Sequence, residues 1–314
     1  MSAKRELKEW QPRPVLTIVF AIEDHDHSDG KRSWIQNGSY TNVIIGVLIQ
    51  QQTVMNPFIL ICPSTRGLSL ALTRYYLCNS KLPIYATHRA PSTDSLRERI
   101  LSGLPQNSGV NPNRLNFLPV ELTSEDSIKS AAEQLSSMLP ADRKSYIHTA
   151  FFTGGMLHPE RQPSDLNEKN IYETFQLNVI AHMLLVKHFS RFLPPSSSKP
   201  ADLAKWVHVS ARVGSISDNK IGGWYSYRAS KAALNQMIRT FDLHLQSKRL
   251  PAICVGVHPG TVKTDLSKSF WSGVKEGKLF EPEYAAEKLA RVVEKLGTES
   301  RGKVWDWAGK EVPS

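Results

Sequence analysis

The chain has 314 residues, of which 40% are hydrophobic and 22% charged, a balance that excludes wholesale disorder and fibrous architectures. Its formal net charge of +10 does not come with a basic run of five or more residues, so we expect a basic solvated surface and no nucleic-acid partner. No apolar stretch approaches the ~20 residues that a membrane-spanning helix needs, so no membrane span is expected.

The first 55 residues do not form a clear unit, and they predict a poorly ordered N-terminal extension before a folded unit over residues 56–314. Their apolar runs are short, and acids follow the first one, which argues against secretory and mitochondrial targeting. His25 and His27 are interpreted as part of an exposed loop rather than as metal ligands. A mis-assigned start of the coding sequence is the alternative explanation of this region.

The three cysteines, Cys62, Cys78 and Cys254, lack a CxxC pattern or a histidine-rich neighbourhood. This predicts no metal site and a reducing compartment. We expect the cytoplasm, with the mitochondrion as a weakly supported alternative.

From residue 57 onward, strand-like and helix-like segments alternate. Six or more strands separated by helices predict an α/β fold with a doubly wound parallel sheet covered by helices on both faces. Trp305 and Trp307 predict a final strand or a tail packed on the core. The predicted strands are 58–62, 83–87, 115–120, 145–151, 205–210 and 252–257; the predicted helices are 68–77, 95–101, 124–135, 172–192, one beginning near Tyr225, and 281–297.

The first strand–helix turn, residues 62–69, is where such a sheet offers backbone N–H groups to a pyrophosphate. It contains one glycine, Gly67, beside the cation Arg66. No acid follows the second strand, where NAD-specific sites place one for the ribose hydroxyls; Arg89 stands there instead. Arg89, with Arg66, would suit the 2′-phosphate of NADP. An ordinary turn with surface arginines is the alternative.

A Tyr-x-x-x-Lys pattern lies in the helix that begins near Tyr225. Residues four apart share one helix face, so Tyr227 and Lys231 would place a phenol beside an ammonium group. A neighbouring cation favours the phenolate and moves its pKa down from about 10 toward the working pH of an acid–base catalyst. A chance pair on a helix surface is the alternative.

Residues 209–215, 222–231 and 258–264 together resemble the short-chain dehydrogenases/reductases, and within them the carbonyl-reductase-like branch of the C-factor and sniffer proteins. The resemblance runs from about residue 57 to the end of the chain and implies a single Rossmann-like sheet of about seven strands in a catalytic domain over residues 56–314.

The resemblance also implies the site. Tyr227 corresponds to the proton donor, Lys231 to the lysine that lowers its pKa and holds the nicotinamide ribose, and Asn178 to the asparagine that supports a proton-relay water. Contacts to the cofactor are implied for Ser64, Arg66, Gly67, Leu68, Arg89, Gly155, Asn178, Tyr227, Lys231, Pro259, Gly260, Val262 and Thr264.

The sequence departs from the family pattern at three places. Pro63 and Ser69 replace two glycines of the first turn, and residues 152–155 keep only the last glycine of the segment after the fourth strand. Ala211 stands where the substrate-orienting serine hydroxyl is expected.

Two serines could supply that hydroxyl. Ser215 could loop back into the pocket and is slightly favoured. Ser210 is retained because a kink at the strand end would redirect it, although in a regular strand it faces away from the side that Ala211 faces.

The implied activity is reduction of an aldehyde or ketone to an alcohol, or the reverse, with NADP rather than NAD as the cofactor. Residues 266–280, with Phe270, Trp271 and Leu279, are expected to form a lid over an apolar carbonyl substrate, or else to be simple packing. A weakly active dinucleotide-binding regulatory or signalling protein is the alternative function. Homodimers and homotetramers both remain open.

Overall fold

The computed structural model describes residues 55–90, 92–105, 108–141 and 144–314. The predicted extension, with His25 and His27, falls on residues 1–54 and so lies outside the described residues. In the described part, no helix is long and apolar enough to cross a bilayer.

One sheet of eight strands organises the described chain. Its order is β10-β9-β6-β5-β4-β1-β2-β3, parallel throughout except for the antiparallel pair of β9 with β10. The strands are β1 (Asn56–Cys62), β2 (Ile84–His88), β3 (Leu115–Pro119), β4 (Ser145–Phe152), β5 (Ala204–Val209), β6 (Ala252–His258), β9 (Val304–Asp306) and β10 (Glu311–Val312), while β7 (Thr261–Val262) and β8 (Leu279–Phe280) pair separately.

The prediction of a doubly wound α/β sheet is confirmed, with one strand more than expected. The seven parallel strands match the expected count, and the eighth is β10, a two-residue strand that returns along β9. A strand this short has no alternation that a sequence can display. Trp305 lies within β9, as the alternative of a final strand required.

Helices cover both faces because successive strand residues point to opposite sides. The helices are α1 (Gly67–Asn79), α2 (Thr93–Leu101), α3 (Glu125–Met138), α4 (Glu168–Phe175), α5 (Ala181–Phe189), α6 (Tyr225–Ser247) and α7 (Pro282–Lys295). Phe58 and Leu60 of β1 pack with α3, α5 and α6, whereas Ile59 and Ile61 pack with α1, α2 and α7.

The helix predicted over 172–192 is interrupted. It begins earlier, at α4, whose N-cap Asn167 accepts a hydrogen bond from the backbone N–H of Asn170, and a π-helical turn over Gln176–Ile180 separates α4 from α5. Such turns insert one residue into the helical ladder and are common at functional sites. This one carries Asn178.

Candidate functional site

A cleft of about 1670 Å³ opens at the carboxyl ends of the strands, where ligands of doubly wound sheets bind. Most of the predicted site residues line it. Three do not: Ser64, Asn178 and Ser215 are buried beside it. The predicted residues that line the cleft are Arg66, Gly67, Leu68, Arg89, Gly155, Ser210, Tyr227, Lys231, Pro259, Gly260, Val262 and Thr264.

Tyr227 and Lys231 lie on the cleft side of the first two turns of α6. The Lys231 Nζ donates to the carbonyl of Val209 at 3.0 Å and lies 5.7 Å from the centroid of the Tyr227 ring. Both side chains are buried, with 8% and 3% of their surfaces exposed. The structure therefore brings together the phenol and the ammonium group that their spacing predicted.

Burial governs the ionisation of this pair. It raises the pKa of Tyr227 to about 12 and lowers the pKa of Lys231 to about 8, because a low-dielectric surrounding disfavours the charged form of each group. This differs from the expectation that the lysine lowers the phenol pKa. At neutral pH the phenol is thus uncharged and holds a proton that it can donate.

Asn178 joins the cleft to the π-helical turn. Its Oδ1 accepts from the backbone N–H of Met156 at 2.8 Å, and its Nδ2 donates to the Met156 carbonyl and to the Ser230 Oγ, each at 3.0 Å. The side chain is fully buried and committed to these partners. Asn178 therefore fixes the segment after β4 to α6, and its predicted support of a proton-relay water stays a prediction.

The two candidate serines differ in position. Ser210 lines the cleft, but its hydroxyl donates to the Asn235 Oδ1 at 2.5 Å. Ser215 lies outside the cleft lining, and its hydroxyl accepts from the backbone N–H of Asp218 at 3.0 Å. Ala211 itself faces the cleft. The role predicted for either serine stays a prediction.

The first strand–helix turn keeps the one glycine that its geometry requires. Gly67 has a φ of +51°, and a Cβ there would lie 2.8 Å from the Thr264 Cγ2. The hydroxyl of Ser69, which replaces a glycine of the expected pattern, donates to the Arg66 carbonyl at 2.8 Å. The hydroxyl of Ser64 donates to the Thr87 carbonyl at 2.8 Å. The N-terminus of α1 remains open to the cleft beside these residues.

Arginines surround a side cavity of about 460 Å³ next to this turn. Arg66, Arg89 and Arg99 all line it, and all three also line the main cleft. Arg66 lies 3.8 Å from the Asp265 carboxylate, and Arg89 lies 3.0 Å from that of Glu121. Within the described ranges Arg99 forms no ion pair. Sequence reasoning missed Arg99; the only available signal was its place on the helix that follows Arg89.

Sequence reasoning also missed the end of the third strand. Val120, Glu121 and Leu122 line the cleft directly after β3. Burial raises the pKa of Glu121, but hydrogen bonds from Thr123 and Arg89 outweigh that effect and leave the pKa below its usual value. The carboxyl ends of parallel strands meet at one edge of a sheet, and this rule could have identified all three residues.

Aromatic side chains line the cleft beside Tyr227. Trp224, with a φ of 50°, places its ring 6.2 Å from that of Tyr227 and 4.8 Å from that of Phe270, which lies on the 3₁₀ turn Lys268–Gly273. The Trp271 Nε1 donates to the Ser267 Oγ at 2.9 Å. Of the three apolar residues expected in a lid, Phe270 is therefore the one that packs against Trp224, next to Tyr227.

Known proteins resemble the chain in sequence. Residues 64–275 match the sequence model of the short chain dehydrogenase family. The C-signal protein of Myxococcus xanthus is 32% identical over 149 residues, which cover 48% of this chain and 81% of that protein. Benzil reductase ((S)-benzoin forming) of Bacillus subtilis (strain 168) is 26% identical over 212 residues, which cover 63% and 83%.

Solved structures share the fold. The carbonyl reductase Sniffer of D. melanogaster has a TM-score of 0.69 at 22% identity, covering 83% of this chain and 100% of its own. An NADPH-bound carbonyl reductase from chicken fatty liver has the same TM-score and coverage at 24% identity. The matched segment contains the carboxyl ends of β4 and β5 and the pair Tyr227 and Lys231, and the chain belongs to the short-chain dehydrogenase family of oxidoreductases.

Proposed function

We propose that the protein is an NADPH-dependent reductase of an apolar aldehyde or ketone, with Tyr227 as its proton donor. The observation that carries this proposal is the buried pair of Tyr227 and Lys231 in a cleft that three arginines also line. A benzil reductase among the sequence relatives is in keeping with a carbonyl substrate.

The residues of the cleft fit a dinucleotide. The open N-terminus of α1 beside Gly67 would bind its pyrophosphate, because unpaired backbone N–H groups and the helix dipole attract anions. Gly155 keeps the floor of the cleft clear, since a Cβ there would lie 3.5 Å from the Lys231 Nζ and 3.4 Å from the Asn178 Oδ1. Leu68, Pro259, Gly260, Val262 and Thr264 border the same space.

Arginines favour NADP over NAD in this proposal. A 2′-phosphate adds about two negative charges to the adenosine ribose, and guanidinium groups bind phosphate through paired N–H donors. Arg66 and Arg89 already have carboxylate partners, whereas Arg99 faces the side cavity without one among the described residues. Arg99 is therefore the cation that a 2′-phosphate would engage at the least cost in broken ion pairs.

The proposed chemistry is a balanced reduction. When bound in the cleft, NADPH would supply the hydride that reduces the carbonyl carbon. The Tyr227 hydroxyl donates its proton to the carbonyl oxygen as negative charge develops there, giving the alcohol. The phenolate that remains has the Lys231 ammonium group 5.7 Å from the centroid of its ring.

The ionisation state of Tyr227 suits a proton donor. Burial raises the pKa of Tyr227 to about 12, so the phenol is protonated at neutral pH and ready to act as an acid. The reverse reaction requires the phenolate, which the same burial disfavours. Ser210 is the candidate to hold the carbonyl oxygen because it lines the cleft, but its hydroxyl must first release Asn235.

The decisive experiment follows NADPH absorbance with a panel of aldehydes, ketones, diketones and quinones. Tyr227→Phe should lower kcat by about 10²- to 10⁴-fold while NADPH still binds, because it removes only the proton donor. Tyr225→Phe, two residues earlier on the same helix and 41% exposed, is the matched control and should behave like the parent. Full activity of Tyr227→Phe would overturn the mechanism.

A dinucleotide-binding regulatory protein is the second candidate. It is favoured by Ala211 facing the cleft and by the engagement of the Ser210 hydroxyl with Asn235. Tight NADPH binding without turnover of any carbonyl in the panel would favour it.

A further inference from the structure

Three buried side chains form a hydrogen-bonded chain that the proposed chemistry does not use. The Trp206 Nε1 donates to the His208 Nε2 at 2.8 Å, the Nδ1 atoms of His208 and His182 lie 2.7 Å apart, and the His182 Nε2 lies 2.9 Å from the Gly154 carbonyl. All three side chains are at most 1% exposed. Two of them, Trp206 and His208, lie on β5, and His182 lies on α5.

The direction of this chain is fixed at both ends. An indole nitrogen only donates, so the His208 Nε2 carries no proton and a neutral His208 must carry one on Nδ1. A carbonyl oxygen only accepts, so His182 carries its proton on Nε2 and accepts on Nδ1. Each bond therefore has one donor and one acceptor. Burial lowers the pKa of both histidines, which keeps both rings neutral, as this pattern requires.

The hydrogen-bonded series of side chains ends at Gly154, on the floor of the cleft. Gly154 and Gly155 follow β4 and line the cleft, and the space next to Gly155 is shared with the Lys231 Nζ and the Asn178 Oδ1. Two successive glycines have no side chains to pack and are conformationally free. The conformation of this turn therefore depends on its hydrogen bonds and on the side chains packed against it, such as Leu122, whose Cδ1 would lie 2.7 Å from a Cβ at Gly154.

Two residues one helical turn apart provide those bonds. Asn178 holds both backbone polar groups of Met156, and His182, four residues later, holds the carbonyl of Gly154. The turn is thus clamped on either side of Gly155. A strained or mobile Gly155 would intrude on the space beside Lys231.

We infer that His182, backed by His208 and Trp206, is a positioning residue for the dinucleotide site. It fixes the Gly154–Gly155 turn and thereby the floor against which Lys231 and the cofactor lie. This inference rests on the proposed function for its cofactor, and on the hydrogen bonds of His182 alone for its effect on the turn.

His182→Leu and His182→Gln separate positioning from packing. Leucine fills much of the space but makes neither hydrogen bond. Glutamine can accept from the His208 Nδ1–H through its carbonyl oxygen and donate to the Gly154 carbonyl through its amide. Phe189→Leu, on the same helix and fully buried, is the control for a loss of core packing.

Two measurements are made on each variant: amide hydrogen exchange of residues 153–156 in the cofactor-free protein, and the Kd for NADPH by fluorescence titration. In His182→Leu, the exchange rate of this turn and the Kd for NADPH should each rise by about tenfold. In His182→Gln, both values should stay within about threefold of those of the parent. Phe189→Leu should lower the melting temperature without either effect.

Three results would overturn the inference: parent-like exchange in His182→Leu, faster exchange with an unchanged Kd, or equal effects in Phe189→Leu. Failure of the parent to bind NADPH would instead refute the proposed function, and hydrogen exchange would still decide whether His182 positions the turn.

Discussion

The buried charge of Lys231 should lower the free energy of unfolding of the protein, although the proposed activity requires this residue. The pKa of Lys231 falls from its ordinary 10.5 to about 8 because the ammonium group is buried. Each unit of pKa difference corresponds to about 1.36 kcal/mol, so below pH 8 the buried charge lowers the free energy of unfolding by about 3 kcal/mol. Lys231→Met removes the charge but also removes the donor to the Val209 carbonyl, a loss of about 1 kcal/mol. The variant should therefore be inactive yet more stable by about 2 kcal/mol at pH 7.

The stability advantage of Lys231→Met over the parent should shrink as the pH rises. Between about pH 8 and 10.5 the unfolded chain keeps the lysine proton while the folded protein loses it, so the parent gains stability relative to the variant as pH rises. Urea unfolding at several pH values across this window measures the difference, and titrations common to both proteins cancel. Lys248→Met, at the exposed end of the same helix, should show no such trend. A difference that stays constant from pH 7 to pH 10.5, or a parent that is the more stable throughout, would refute the reasoning.

Two further predictions concern cofactor binding. Arg99→Ala should raise KM for NADPH by about tenfold and leave KM for NADH unchanged, because it removes a cation that only the 2′-phosphate would meet. The Arg97 guanidinium donates to the backbone outside the cleft, so Arg97→Ala should not change the ratio of the two KM values. Gly67→Ala should weaken NADPH binding and destabilise the fold by about 1–2 kcal/mol, since its Cβ meets Thr264 in a left-handed backbone, whereas Gly297→Ala, with open space around it, should be nearly neutral in both measurements. A drop in NADH affinity equal to that for NADPH contradicts the first prediction, and parent-like NADPH binding by Gly67→Ala contradicts the second.

The parallel sheet could be predicted from the sequence because its strands are buried on both faces and read as apolar runs between turns. The remaining elements lack a local signature. The pair β7 and β8 and the strand β10 contain two residues each, too few for any period. The π-helical turn over Gln176–Ile180 is stabilised by contacts of Asn178 with Met156 and Ser230, which are distant in sequence.

The candidate site divides in the same way. Tyr227 and Lys231 could be predicted because helical spacing alone places them on one face. Their pKa values could not, because the neighbouring cation is visible in the sequence and the depth of burial is not. The partner of Ser210 is another case: whether its hydroxyl meets substrate or Asn235 depends on how α6 packs against the end of β5.

The first turn shows why a weakened sequence fingerprint can coexist with an intact cleft. Two of its three expected glycines are Pro63 and Ser69, and the Ser69 hydroxyl is satisfied by the carbonyl of Arg66 rather than left unpaired at the helix start. Gly67 is the position where Thr264 approaches to within 2.8 Å of a Cβ and where φ is positive, so no other residue fits without strain. Since a helix N-terminus supplies its backbone N–H groups whatever side chains follow it, the retained glycine keeps the backbone geometry on which the proposed anion site depends. The number of glycines is therefore a poor guide to the proposed anion site in this turn, and the position of the glycine that the backbone requires is a better one.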